Sequence, residues 1–172
     1  MSVTSTFNQI HEILRCDEQL VRLLFYKAEN SKDDVLTVSE ERPNIVGRLI
    51  SNDIVSHIFK AHELTEEHLS NDDPQCCCAI TLGDFDNVAN TGTNNINPYL
   101  YEQKFNVDIY AHENFQNIDM RLNKLLDRVL HLLNPKVVIG LGKVRFVSSS
   151  KLDGIPNYEG MRITFGFKYS VI

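Results

Sequence analysis

The chain has 172 residues, 42% hydrophobic and 23% charged, with 17 basic against 23 acidic side chains and a net charge of −6. Those values describe one globular domain, or one with an appended subdomain, and exclude collagen-like and disordered classes. The negative balance argues against non-specific nucleic-acid binding, which needs a positive field, and the apolar runs are far too short for a membrane-spanning helix.

Charge is unevenly placed. Residues 1–75 carry 7 Lys/Arg against 14 Asp/Glu, whereas residues 76–172 carry 10 against 9. Two surfaces facing different environments are expected. The first residues show no basic region leading into an apolar core, so no export signal is expected and free thiols in a reducing compartment are the default.

In chain order, Phe7, Ile10 and Leu14 fall on one helical face behind Ser5 and Thr6, and Asp17 is placed to cap a second helix carrying Leu20, Val21, Leu23 and Leu24. Lys27 to Asp34 reads as turns. Ser39, Glu40 and Glu41 could open a helix, but Pro43 interrupts it. Ile50, Ile54, Val55, Ile58 and Phe59 suit one short helix. Asn71-Asp72-Asp73-Pro74 is the clearest break and divides an N-terminal helical extension, residues 1–74, from a core at 76–172.

Cys76 to Leu82 reads as a buried strand, in which adjacent cysteines point to opposite faces and cannot form one chelating set. Gly83 to Pro98, with Asn87, Asn90, Asn94, Asn95 and Asn97, reads as a long polar loop. Tyr99 to Ala111 alternates cleanly, predicting a half-exposed strand whose second face carries Leu100, Glu102, Lys104, Asn106, Asp108 and Tyr110. Asn117 is then positioned to cap a helix from Ile118 to Leu133, with Leu122, Leu125, Val129 and Leu132 on its apolar face and Asp119 in its first turn. Val137 to Val147 reads as a strand, with Gly140 and Gly142 marking a bulge. Lys151 to Gly160 reads as a loop, and Met161 to Ile172 as a closing strand. The expected fold is α+β: a mixed, largely antiparallel four-stranded sheet with an amphipathic helix packed on one face, plus short N-terminal helices.

Chemistry is hard to place on this pattern. His11, His57, His62, His68, His112 and His131 sit in no local catalytic arrangement with a cysteine. Gly140-Leu141-Gly142-Lys143 lacks the spacing of a phosphate loop. Asp84-Phe85-Asp86-Asn87 has alternating carboxylates, but position 95 is Asn95 where a calcium loop needs a bidentate Glu. His62 and His68 are six apart, not the four that would put both on one helical face. His112-Glu113-Asn114 joins strand to helix, where catalytic groups and ordinary caps both occur. The expectation is a non-enzyme without cofactor or metal.

The run Tyr101-Glu-Gln-Lys-Phe-Asn-Val-Asp-Ile-Tyr-Ala-His-Glu-Asn, the helix Ile118 to Leu133, the closing strand pair, and Leu20-Val-Arg-Leu-Leu-Phe-Tyr-Lys with Asp33-Asp34 resemble neck proteins of long-tailed bacteriophages, nearest to the tail-terminator or tail-completion group. The resemblance spans residues 7–30 and 76–172. It implies a virion protein, assembled in the host cytoplasm, that forms a homo-oligomeric ring of six copies. Such a ring caps the tail tube and joins it to the head connector or other neck proteins, with the sheath as a further contact. DNA would pass through the lumen without specific binding, and no membrane would be involved. The candidate interface comprises Asp84, Phe85, Asp86, Asn87, Asn90, Asn94, Asn95, Asn97, Tyr99, Leu100 and Tyr110. The alternatives are another neck component, a monomeric adaptor, and a small cysteine- or metal-dependent enzyme.

Overall fold

The structure, a computed structural model, describes residues 3–46, 57–60, 69, 75–89, 96–134, 138–139 and 142–170. Helices α1 (Val3–Arg15) and α2 (Glu18–Phe25) precede strands β1 (Ile58–Lys60), β2 (Cys76–Ala89) and β3 (Ile96–His112). Helices α3 (Glu113–Asp119) and α4 (Arg121–Leu133) follow, then β4 (Val138–Ile139), β5 (Gly142–Lys143), β6 (Arg145–Leu152) and β7 (Tyr158–Ser170). Four antiparallel strands and a short parallel edge strand make one sheet in the order β1-β2-β3-β7-β6. The fold is therefore α+β, as the sequence pattern predicts.

The helices cover one face. Phe7, Ile10, Leu14, Leu20, Leu23 and Leu24 join Leu122, Leu125 and Val129 over Cys76, Cys78, Ile80, Phe105, Val107, Ile109, Ile163 and Phe165 in a single buried cluster. The N-terminal helices thus bury their apolar stripes in the same core as the sheet. Asp17 accepts from the Leu20 amide at 2.8 Å, so the predicted cap forms, and both its carboxylate oxygens take N–H groups of Arg128 on α4.

Two buried arginines complete the helical layer. The Arg121 guanidinium donates to the carbonyls of Leu23 and Tyr26, satisfying the exposed end of α2, and binds Asp119 beneath the Phe115 ring. The Arg22 side chain donates to the carbonyls of Val35, Thr37, Arg42 and Pro43 and so holds residues 35–43 without a ladder of their own.

Several expectations are corrected. The long helix is two helices: His112, not Asn117, is the cap, its Nδ1 accepting from the Asn114 amide at 3.1 Å. Met120 breaks the run with φ 55, so Asp119 ends α3, buried against Arg121, and does not open a helix. Apolar periodicity runs across that break and hides it, because Ile118 and Leu122 both still face the core. Ile58 and Phe59 belong to a strand pairing with Cys78 and Ala79, while Ile50, Ile54 and Val55 lie outside the described residues. Ser39 opens no helix: its hydroxyl accepts from the Arg42 amide in a turn. Gly142 belongs to a small hairpin, Val138 and Ile139 standing opposite Lys143 and Gly142, while Gly140 lies outside the described residues. The segment expected as a loop after Lys151 begins in β6, which pairs with β7 as far as Leu152 opposite Gly160.

Candidate interaction surface on the helix-free face and its arm

Residues directly opposite in a sheet share a face, and register therefore assembles the second face row by row. Cys77, Tyr110, Gly160 and Leu152 form one row; Ala79, Asp108, Arg162 and Ser150 the next; Thr81, Asn106, Thr164 and Ser148 the third. The first row is apolar and belongs to a second, small cluster with Leu69 and Tyr158. Tyr110, expected at an exposed interface, is buried there. It spreads over Gly160, whose missing side chain makes the room.

Below that cluster the face becomes polar and internally paired. Arg162 grips Asp108 through two bonds of 2.7 Å, and the Thr164 hydroxyl reaches Asn106 at 2.9 Å. Asp108 is almost wholly enclosed, so the strand predicted as half-exposed buries a carboxylate, made tolerable by the bidentate arginine. Further along, Lys104 binds Asp86 at 2.9 Å, and Glu102 crosses above Gly166 to Arg145 on β6. A shallow hollow of about 330 Å³ lies among Gly83, Lys104, Asn106, Ser148, Arg162 and Thr164. Its two basic groups are already paired within the chain, Lys104 with Asp86 and Arg162 with Asp108, and Asp84 stands at its rim, an arrangement that suits a wet protein contact.

Where the structure describes the expected loop, at residues 83–89 and 96–98, it is strand. β2 and β3 run on as an arm in which Phe85 faces Gln103, Asp86 faces Glu102 and Asn87 faces Tyr101, with β7 continuing beside β3 to Ser170. Strand propensity yields here to pairing: Phe85, Asp86 and Asn87 lie against residues of β3 that β7 holds from the other side. A bulge between Leu82 and Phe85 interrupts the ladder, and the buried Gln103 amide donates to the Gly83 carbonyl at 3.1 Å. Phe85 stacks on Tyr101 with ring centres 4.9 Å apart, yet Phe85 is 46% and Leu82 56% exposed.

Of the predicted interface, Asp84, Phe85 and Asp86 are exposed on the arm. Asn87, Asn97, Tyr99 and Leu100 lie in its strands, and Asn90, Asn94 and Asn95 fall outside the described residues. The sequence reading ends its strand at Val147 and so misses the rest of β6, in which Arg145 to Lys151 are exposed on both faces, Phe146 and Val147 each 41%. Three consecutive serines hid it, since serine signals turns more often than strands; the alternation after Gly160 was the available clue that a hairpin partner must precede it.

The cysteine run divides between the two clusters, Cys76 and Cys78 on the helical side and Cys77 on the other. Burial pushes the Cys76 and Cys78 thiols up to about 12 and Cys77 well above its usual value, so they are protonated and sterically closed near neutral pH. Among the described residues no group of three or more His, Cys, Asp or Glu is placed to hold a metal ion, and no helix is long and apolar enough to cross a membrane. His62, Glu63, Glu66, Glu67 and His68 lie outside the described residues.

A family model described as YomW matches residues 17–167. The chain belongs to the YomW family. That family name is a phage-derived one, and the protein is accordingly phage-associated. The YomW match runs from the cap of α2 to β7 and takes in residues 40–74, which the neck-protein resemblance does not place. No curated protein matches the chain.

Proposed function

We propose that the protein is a structural component of the phage neck: a ring-forming tail terminator that caps the tail tube and joins it to the head connector. It is not an enzyme on this reading, and uses no cofactor. The observation that carries the proposal is the arm of β2, β3 and β7, which extends the sheet and presents Leu82 and Phe85 to solvent on one face and paired charges on the other. A half-exposed aliphatic and aromatic pair on a stiff strand scaffold is suited to contact between proteins. Membership of a phage family supports the setting, and burial of the Cys76, Cys77 and Cys78 thiols favours an architectural role for that run over a catalytic one.

The partners on this reading are further copies of the chain, six to a ring, the tail-tube protein below, the connector or another neck protein above, and the sheath alongside. The ring would sit in the virion neck after assembly in the host cytoplasm. DNA would pass its lumen without specific binding, in keeping with a net charge of −6 per protomer.

The test is to add purified protein to polymerising tail-tube subunits and examine tube ends and lengths by electron microscopy. Short tubes ending in a ring of added density support the proposal. Tubes of unchanged length with bare ends, at every protein concentration, overturn it.

A further inference from the structure

Among the described residues the sheet has one open edge at β6 and another along β2. β1 pairs with β2, among the described residues, from Ile58 opposite Cys78 to Lys60 opposite Ile80, and no other strand there pairs with the outer side of β2 from Thr81 onward or of β6. An unpaired edge is a template for another strand. The two edges differ in charge: residues 143–152 hold Lys143, Arg145 and Lys151 and no acid, while residues 81–89 hold Asp84 and Asp86 and no base.

They also match in shape. β2 runs antiparallel to β3, β3 to β7 and β7 to β6, so β6 of one copy meets β2 of a like-oriented copy antiparallel. Placing Arg145 opposite the second copy's Asp86 sets Phe146 opposite Phe85, Ser149 opposite Leu82 and Ser150 opposite Thr81. Pairing then stops where β1 begins. Phe146, level with Phe165, and Phe85, level with Gln103, both lie on the helical side, and Arg145 and Asp86 both lie on the helix-free side. Each strand carries a bulge, between Phe146 and Ser148 in β6 and between Leu82 and Phe85 in β2. In this register the bulges fall opposite each other, and side-chain faces agree on both sides of them.

We infer that β6 pairs head to tail with the β2 arm of a second copy of this chain in that register. The inference rests on the ring reading and names its subunit contact. A heterologous contact of this kind closes into a ring when its rotation permits. Arg145 and Asp86 hold Glu102 and Lys104 within the protomer through exposed bridges, which cost little to exchange.

The test uses Arg145→Asp, Asp86→Arg and the double reversal, each checked for an unchanged unfolding midpoint and then sedimented alone and with tail tubes. Each single change should weaken self-association about tenfold or more, and the double reversal should restore it. In a Cys16→Ser background, Phe85→Cys with Phe146→Cys should oxidise to a ladder beyond dimer, and Phe146→Cys alone should not. Rings that ignore both reversals and form no such ladder overturn the edge pairing and leave the ring reading standing. A native chain that stays monomeric with and without tubes overturns both.

Discussion

Tyr110 lies across the bare backbone of Gly160: a methyl group at residue 160 would come within 2.7 Å of the Tyr110 ring and 2.9 Å of the Leu152 Cβ. The aromatic side chain occupies the place of the absent one, a device that stabilises glycine in a strand. Gly160→Ala ordinarily lowers unfolded-state entropy, but here steric overlap outweighs that gain. Destabilisation of about 1–3 kcal/mol is expected in urea unfolding. In a Tyr110→Leu background the penalty should shrink, and an unchanged penalty would contradict the contact.

Arg121 is wholly buried yet fully engaged, by Asp119 and by two carbonyls at the end of α2. Arg121→Ala should cost about 3–5 kcal/mol, because it leaves two carbonyls at the end of α2 without their donor and the buried Asp119 carboxylate with only Lys124 of the cations that bind it. Arg121→Lys should recover little of this, since an ammonium cannot serve three diverging acceptors. Denaturant midpoints of both variants decide the matter.

Asp33 is held down to about 2, first by its side-chain bond to Arg42 and then by the Glu29 amide. A carboxylate whose folded value lies below its ordinary 3.8 contributes stability above that value and loses it as pH falls toward the folded one. Amides around Glu29 and Arg42 should therefore lose hydrogen-exchange protection as acid is added through that window. Asp33→Asn should flatten the response.

Cys16 is exposed and Cys76, Cys77 and Cys78 are buried. Iodoacetamide at mildly alkaline pH should label Cys16 alone in the folded protein and all four in denaturant. Rapid labelling within residues 76–78 of the folded chain would show that the sheet opens there.

What was legible in the sequence follows from periodicity. Strict alternation places Phe105, Val107 and Ile109 in the core, and helical spacing does the same for Leu125 and Val129. The β2 side of the arm was not legible, because Asn and Asp carry turn signals and the force that makes them strand lies in β3 and in β7 beyond it, more than sixty residues away. Neither was the burial of Asp108 and Tyr110 on the second face: one depends on Arg162 and the other on Gly160, partners that alternation alone cannot match. Asp84, Phe85 and Asp86 were expected in a loop and lie instead in a strand.

The bonds from Arg121 to Leu23 and from Arg128 to Asp17 join positions 98 and 111 residues apart. During synthesis α2 leaves the ribosome with its last carbonyls and its capping aspartate lacking these partners, and it waits through the making of β1, β2 and β3 for α4 to arrive. Contacts of such span slow folding and favour a single late consolidation. The order of synthesis is thus reversed in the order of completion: the helices made first are secured last, and a chain cut short before residue 121 would leave them without their anchor.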